Sequence, residues 1–459
     1  MNILVLGAGR SAGFLIEFLG RTCLERGWNL TVCDRDFSRL KKSFEISSAV
    51  TLQSMDLSNQ SDLESLMQVQ HAVVSLLPPA MHLAVATIGV RMGIPVFTAS
   101  YISEGMKGLD SLAKKNGVLL MNELGLDPGI DHLSANAILD RIRTENASLG
   151  VAEQWAIQSF ESHCGGLVYA EDCTDNPWGY KFSWNPTNVV LAGQGGNSIF
   201  RRGGRRVEVS PKELFSLAST IDIPRIGVFD VYANRDSLGY STIYGLDSAE
   251  SLLRGTLRRH GYCAAWQCLI DAGLTNNEFL LPAKVVSASL AFQAITGFEN
   301  LDSWWSYLLN KGVDDASLEK IKWLPIGNDA FWIENVESDC SWFAGKSAAQ
   351  FLERLLLVCW KLEDADRDEV VMFHRFVLEN SAGEQKILTS SLQVIGEGGD
   401  RTAMAKTVGL PLALGLIAYL DGDRQEIGVQ QPWGARWYNA ILPALAEEGI
   451  VFVEDATTV

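Results

Sequence analysis

Residues 1–34 constrain the fold more than any other stretch of the chain. Met1 to Leu6 is a short apolar run, Gly7-Ala-Gly9-Arg-Ser-Ala-Gly13 a glycine-rich turn, and Phe14 to Arg26 an amphipathic helical pattern. A second apolar run, Leu30 to Cys33, follows and ends at an acid, Asp34. This order of strand, glycine turn, helix and strand is half of a dinucleotide-binding unit. The glycines permit a tight turn and let a pyrophosphate approach the helix N-terminus, whose free amides and dipole favour negative charge. Further strands are predicted at Thr51 to Gln53, Ala72 to Leu76, Pro95 to Thr98 and Val118 to Met121, with helical stretches between them. The result is a six-strand Rossmann layout.

Ligands of a doubly wound sheet gather at the carboxyl ends of its strands, which marks the residues to watch. For the cofactor these are Gly7, Gly9, Arg10, Ser11 and Ala12 in the turn, Asp34 and Arg35 after the second strand, and Leu77 and Pro78 after the fourth. An acid beyond the second strand accepts hydrogen bonds from the ribose diol and repels a 2′-phosphate, whereas arginine welcomes one. Asp34 stands nearer the strand than Arg35, so within NAD or NADP the reading leans to NAD. The alternative is that Asp34 caps a helix beginning near Phe37. His82, at the start of the helix after Pro78-Pro79, is expected to cap or to lie on the surface.

The sixth strand runs into Asn122-Glu-Leu-Gly-Leu-Asp-Pro-Gly-Ile-Asp-His-Leu133, which holds three carboxylates. Asp127 precedes Pro128, which favours an extended backbone, and Gly129 lets the chain turn before a helix begins near Asp131. A side chain so placed can point into a cleft. Asp127 or Asp131 could instead cap that helix.

At 459 residues and 47% hydrophobic content, the chain has material for two or three domains with ample core. Its net charge of −17 argues against nucleic acid or an anionic membrane as partner. Apolar runs fall short of the ~18 residues a membrane span needs, and Thr402 to Leu420 is interrupted by Pro411. The N-terminus reads as a strand rather than a cleavable signal, so a cytoplasmic location is expected. The eight cysteines are scattered, without a Cys-x-x-Cys pair or histidines at ligand spacing, and no metal is expected.

Past residue 150 the pattern changes. Gln154 to Phe160 is strand-like, a loop follows, and Val189 to Leu191 reads as strand; Arg201 to Arg206 reads as a solvated hairpin turn. From about Ala249 to Lys361 helical signals dominate, with Trp266, Trp304, Trp305, Trp323, Trp332, Trp342 and Trp360 at core positions. Val370 to Glu379 and Lys386 to Ile395 alternate as a hairpin.

Several ordered motifs then carry a resemblance. They are Thr98-Ala-Ser-Tyr-Ile-Ser103, Glu123-Leu-Gly-Leu-Asp-Pro-Gly129, Cys164-Gly-Gly-Leu167, Asp175-Asn-Pro-Trp-Gly-Tyr-Lys-Phe-Ser-Trp184, Tyr232-Ala-Asn-Arg-Asp-Ser237, Leu253-Arg-Gly-Thr-Leu-Arg258 and Met404-Ala-Lys-Thr-Val-Gly-Leu-Pro411. This set resembles the saccharopine dehydrogenases of the L-glutamate-forming type nearly end to end. The wording looks closer to the lysine-degrading enzymes, often fused to a ketoglutarate reductase, than to the fungal biosynthetic ones; no fused partner is expected here. Where the family often reads Cys-Gly-Gly-Leu-Pro-Ala-Pro-Glu, this chain has Cys-Gly-Gly-Leu-Val-Tyr-Ala-Glu171, without two prolines that would stiffen a loop.

The resemblance implies an α/β protein: a Rossmann domain at 1–125 completed by 400–459, an α/β substrate domain at 126–248 and 365–399, and a mainly helical insertion at 249–364. It implies a substrate pocket of Tyr101, Asp127, Cys164, Gly165, Trp184, Arg235 and Thr256, with Tyr101 and Asp127 nearest the chemistry. Saccharopine carries three carboxylates and two amines, so Arg235 can grip a carboxylate while Asp127 and the tyrosine address an ammonium. The Gly165-Gly166 pair would expose backbone amides to the ligand. Cys164 has no paired histidine in sequence and is expected to touch substrate rather than attack it. The expected reaction is NAD(P)-dependent oxidation of saccharopine to glutamate and 2-aminoadipate 6-semialdehyde by a homodimer. Rival readings are a reductase of another amine–carbonyl adduct, such as carboxynorspermidine, and a non-catalytic dinucleotide-binding scaffold.

Overall fold

Ile3, Leu4, Val5 and Leu6 have no exposed surface, because the strand they form is covered on both faces. Such strands read as continuous apolar runs rather than alternating ones, which is how the sequence betrays them. The computed structural model describes residues 1–459 apart from 193, 423 and 459. They divide into two units: Met1–Trp155, Asn380–Ala382 and Leu392–Val453 form the first, and Ala156–Glu379, Gly383–Ser391 and Glu454–Val459 the second.

The first unit is built on β1 (Asn2–Leu6), β2 (Asn29–Asp34), β3 (Val50–Ser54), β4 (Ala72–Ser75), β5 (Val96–Phe97) and β6 (Leu119–Met121). A seventh strand, Gly428–Gln430, joins the edge at β6, giving the order Gly428–Gln430, β6, β5, β4, β1, β2, β3 with every pairing parallel. Chain order reverses between β1 and β4, and this opens the crevice in which doubly wound sheets bind nucleotides. The seventh strand escaped sequence analysis because three residues are too few to show a period.

The helix Ala403–Asp421 returns to this unit and lies against the first helix, Gly13–Arg26. Gly409 makes the approach possible: a Cβ there would come within 3.0 Å of the Ser11 carbonyl and 3.1 Å of the Leu15 amide. Among the described residues this is the one helix long and apolar enough to cross a membrane, and 78% of its apolar window is buried inside the protein. Its hydrophobicity is that of a core helix.

In the second unit the strands are β7 (Ala156–Val168), β8 (Ser198–Arg202), β9 (Arg205–Val209), β10 (Ser219–Ile223), β11 (Gly227–Ala233), β12 (Ser251–Arg259), β13 (Asp368–Glu379) and β14 (Gln385–Ile395). They pair in the order β10, β11, β12, β7, β13, β14, followed by the strand Phe452–Thr458, with the β8–β9 hairpin attached to β12. Sequence analysis assigned everything from 400 onward to the nucleotide domain, whereas this last strand sits in the second sheet. Gly203 and Gly204, both at positive φ, close the basic hairpin as expected. Helices between Tyr262 and Cys359 cover the sheet, and Trp266, Trp304, Trp332 and Trp360 fill the core between them, with Trp305, Trp323 and Trp342 packed at its margin.

Three local expectations are corrected here. Residues 161–168, expected in a loop, continue β7, so Cys164 to Leu167 lie in mid-sheet. Val189 and Val190 belong to a short helix, Pro186–Val190, started by the Asn185 side chain and by proline in its first turn. The stretch 251–259, expected to be helical, is β12. Both missed strands are buried on both faces, so neither shows alternation.

Candidate functional site

In the first unit the turn after β1 is shaped by its glycines. Gly7 adopts a φ of 102°, and a Cβ on it would come within 3.0 Å of the Leu76 backbone, so the β1 and β4 turns run side by side. Gly9 differs: a Cβ there would meet nothing within 4 Å, which leaves open space above the turn. The helix that follows has no side-chain cap at Ala12 and no acid in its first turn. Its amides remain free for a pyrophosphate. Arg10 is exposed, Ser11 half-buried, and Leu77 and Pro78 lie past the end of β4, where Pro78 starts the helix Pro79–Met92.

Asp34 faces this turn. One of its oxygens accepts the Ala8 amide at 2.5 Å; the other accepts the amides of Arg35 at 2.6 Å and Asp36 at 3.1 Å. The amide at the start of the next helix, Ser38, is met instead by Asp36, which accepts it at 2.9 Å and holds the Ser38 hydroxyl at 2.8 Å. Beside the turn, Arg10, Arg39 and Asp400 line a small hollow together with Gly9 and Gly13, and Arg39 pairs with Asp400 at 2.9 Å. The residues present therefore fit a dinucleotide.

The loops after β5 and β6 meet at the same edge. The Tyr101 hydroxyl donates to Asp127 at 3.2 Å; Tyr101 is exposed and Asp127 half-buried. The helix Ile130–Ala147 begins at Gly129, and Asp131 turns back to accept the Gly129 amide at 2.6 Å. The capping alternative thus falls on Asp131 and leaves Asp127 directed at Tyr101. Gly129 packs so tightly on Gly125 that a Cβ would lie 2.1 Å from the Gly125 carbonyl oxygen.

Two polar residues here were missed or misread. Glu123, at a φ of 57°, is only 2% exposed and accepts the Ile102 amide at 3.1 Å, Nε2 of the buried His132 at 3.1 Å and the Gln431 amide group at 2.7 Å. A non-glycine residue in left-handed backbone costs on the order of 1–3 kcal/mol, which the surrounding bonds must offset. His82 is neither cap nor surface group. It is buried between the hydroxyls of Ser75 at 2.9 Å and Ser100 at 2.8 Å, and burial pushes its imidazole down to about 4. Single polar residues folded inward carry no periodic signal, so nothing in the sequence distinguished them from exposed ones.

In the second unit, β7 lies between β12 and β13. Cys164 pairs with Thr256 across the parallel ladder and Thr256 with Tyr232 across the antiparallel one, so these three share a face. Gly165 pairs with Val371, and a Cβ on it would come within 2.8 Å of both the Leu257 side chain and carbonyl. Its glycine is there for close strand packing, which corrects the expectation of amides offered from a loop. Trp184 is half-buried and donates from Nε1 to the Tyr180 hydroxyl at 3.1 Å.

Arg235 is exposed, at a φ of 40°, in the loop after β11. Its neighbour Asp236 accepts the amides of Leu238 at 2.8 Å and Gly239 at 3.2 Å, and among the described residues no carboxylate pairs with the Arg235 guanidinium. It stands ready for an anion. Arg258, which ends the motif begun at Leu253 but was assigned no role, is 2% exposed, and its guanidinium lies 5.1, 5.6 and 5.5 Å from the ring centres of Tyr180, Tyr232 and Tyr262.

Comparison with known proteins places these features. The chain matches a family model described as saccharopine dehydrogenase NADP binding domain over residues 3–121, and another described as saccharopine dehydrogenase C-terminal domain over 125–450. It is 31% identical to the saccharopine dehydrogenase [NADP(+), L-glutamate-forming] of Schizosaccharomyces pombe, over 99% of this chain and 98% of that one. It is also 31% identical to the mitochondrial alpha-aminoadipic semialdehyde synthase of Rattus norvegicus, but spans only 48% of that protein. Equal identity to both kinds does not bear out the expected closeness to the fused enzymes. Apo saccharopine dehydrogenase (L-Glu forming) from Saccharomyces cerevisiae, a solved structure, superposes with a TM-score of 0.84 at 30% identity, covering 99% of each chain.

Proposed function

The chain belongs to the saccharopine dehydrogenase family, and from that premise we propose that it oxidises saccharopine with NAD(P)+ and water, releasing glutamate, 2-aminoadipate 6-semialdehyde, reduced dinucleotide and a proton. The observation that carries the reading is the Tyr101–Asp127 hydrogen bond, which stands at the same carboxyl edge of one parallel sheet as the open glycine turn. A carboxylate held by a tyrosine hydroxyl beside a nicotinamide site suits a substrate whose reacting carbon bears an ammonium.

Gly7, Gly9 and the amides of the helix after Ala12 would hold the pyrophosphate, and Asp34 would lie at the ribose. The dinucleotide, when bound, supplies the hydride acceptor. The chain itself supplies charge and placement. Asp127 meets the secondary ammonium of saccharopine and relieves it of its proton as the carbon–nitrogen bond is oxidised, and the Tyr101 hydroxyl keeps that carboxylate pointed. In the second unit, Arg235 has no carboxylate partner among the described residues and can take an anion, and Cys164 and Thr256 share one face of the sheet. Water then adds to the substrate imine, and the adduct separates into the two products.

Cofactor preference turns on local charge. Asp34 opposes a 2′-phosphate, whereas Arg10, Arg35 and Arg39 favour one. The lean toward NAD finds no support among the relatives, since the fungal dehydrogenases carry NADP(+) in their names. Steady-state turnover of saccharopine with each dinucleotide tests the whole reading. Folded protein that binds a dinucleotide yet reduces none with saccharopine, and oxidises none with glutamate plus the semialdehyde, would sink it.

A further inference from the structure

Glu123 is a buried carboxylate bonded to the chain next to each half of the Tyr101–Asp127 pair. One oxygen accepts the amide of Ile102, the residue next to Tyr101; the other is bonded by His132, in the first turn of the helix that follows Asp127. Gln431, just past the edge strand Gly428–Gln430, closes the set by donating to the same oxygen as His132.

We propose that Glu123 is a positioning residue: by clamping the backbone beside Tyr101 to the helix start beside Asp127, it fixes the hydroxyl-to-carboxylate contact that meets the substrate ammonium. The substrate side of this inference rests on the saccharopine reading. Two observations point beyond simple packing. A buried charged group is a poor stabiliser compared with a well-packed apolar one, so its presence calls for another explanation. In addition, its backbone sits at a φ of 57°, strain of the kind that persists where surrounding contacts hold a working geometry.

The decisive experiment is a double-mutant cycle in the full-length protein. Glu123→Gln, alone and combined with Tyr101→Phe, is assayed for kcat and KM with saccharopine at saturating dinucleotide, and dinucleotide affinity is read by calorimetry. The clamp predicts that Glu123→Gln lowers kcat at least about tenfold, leaves dinucleotide affinity within about twofold, and has almost no further effect once Tyr101 has lost its hydroxyl. Glu123→Asp, which keeps the charge on a shorter stem, should restore part of the loss. If the two substitutions multiply independently, or dinucleotide affinity falls in step with kcat, Glu123 does not act through the pair and the proposal is overturned.

Hydrogen exchange at the Ile102 amide separates this inference from the reading it rests on. Should the unaltered protein fail to turn over saccharopine, accelerated exchange at Ile102 in Glu123→Gln, with the cores of both units still protected, upholds the clamp. Unchanged exchange refutes it. If Glu123→Gln does not fold, Gln431→Leu removes one of the bonds to Glu123 and should show the same pattern at smaller amplitude; an unaffected kcat and unaffected Ile102 exchange would then count against the proposal.

Discussion

The two units solve the problem of holding polar groups in different ways. In the first, strand interiors are apolar and the polar groups of the site stand in the turns that follow β1, β2, β4, β5 and β6. In the second, polar residues are set within the strands themselves: Asp230 on β11, Arg254 and Arg258 on β12, and Asp368, Glu369 and His374 on β13 are all buried. Glu369 is bonded there to Arg259, and Lys181 is 2.9 Å from Asp366. The comparison shows that a glycine or an acid means different things in the two settings. In a turn it sets the path of the backbone and can leave space open, as at Gly9; in a strand it answers to the neighbouring strand.

The largest effect expected from this contrast falls on the turns. Asp127→Asn keeps shape and removes charge, and kcat/KM for saccharopine should fall by about 10²- to 10⁴-fold with dinucleotide affinity unchanged. A loss of less than about threefold would move the chemistry away from this edge of the first unit.

Next comes the dependence of stability on acid. His82 is neutral in the folded protein and takes up a proton only near pH 4, whereas the unfolded chain titrates it near 6.5. The unfolded state therefore binds more protons between these values, so the contribution is complete above pH 6.5 and disappears as pH falls toward 4. The difference amounts to about 3 kcal/mol by linkage. Denaturant unfolding of the native chain and of His82→Gln across that window should converge toward its acid end, and parallel curves would show that His82 is not the titrating group.

Smaller again, and aimed at the second unit, is Gly165→Ala. The added methyl would press on Leu257, so stability should fall by about 1–3 kcal/mol, the usual cost of overpacking. Gly9→Ala is the matched control in the first unit, where the new methyl meets open space; it should leave thermal unfolding nearly unchanged while weakening dinucleotide binding. A reversal of the two outcomes would break the contrast between turn and strand. The smallest change concerns Asp34→Ser, expected to shift the ratio of kcat/KM values toward NADP by about tenfold, the scale of one charge-assisted hydrogen bond. An unmoved ratio would show that Arg10, Arg35 and Arg39 set the preference without it.

The same contrast explains what could be read in advance. Apolar runs ending in glycine, proline or acid declare a strand and its carboxyl end, so β1 to β6, the turn at Gly7 and the loop of Asp127 were legible, whereas Tyr101 was named only through the resemblance. Cys164 to Leu167 and Leu253 to Arg258 were recognisable as motifs but not as strands, because a strand buried on both faces with histidine, arginine and glycine inside it shows neither alternation nor an apolar run. Glu123 was visible as an acid in a loop. Its burial depends on partners at 102, 132 and 431, and only the folded chain brings those together.

That last partner has a consequence for how the protein is made. Gln431 follows Glu123 by 308 positions, and both the edge strand Gly428–Gln430 and the helix Ala403–Asp421 complete a unit that began with the first residues. During translation the glycine turn and the acid loop emerge before their edge strand and covering helix, with most of the second unit between them. The nascent nucleotide unit must stay incomplete while most of the second unit is synthesised, so closure of a very long loop belongs among the slow steps of folding. A polypeptide that stalls before residue 403 would carry a glycine turn without the helix that covers it, and truncation of the late segment should compromise the earliest one.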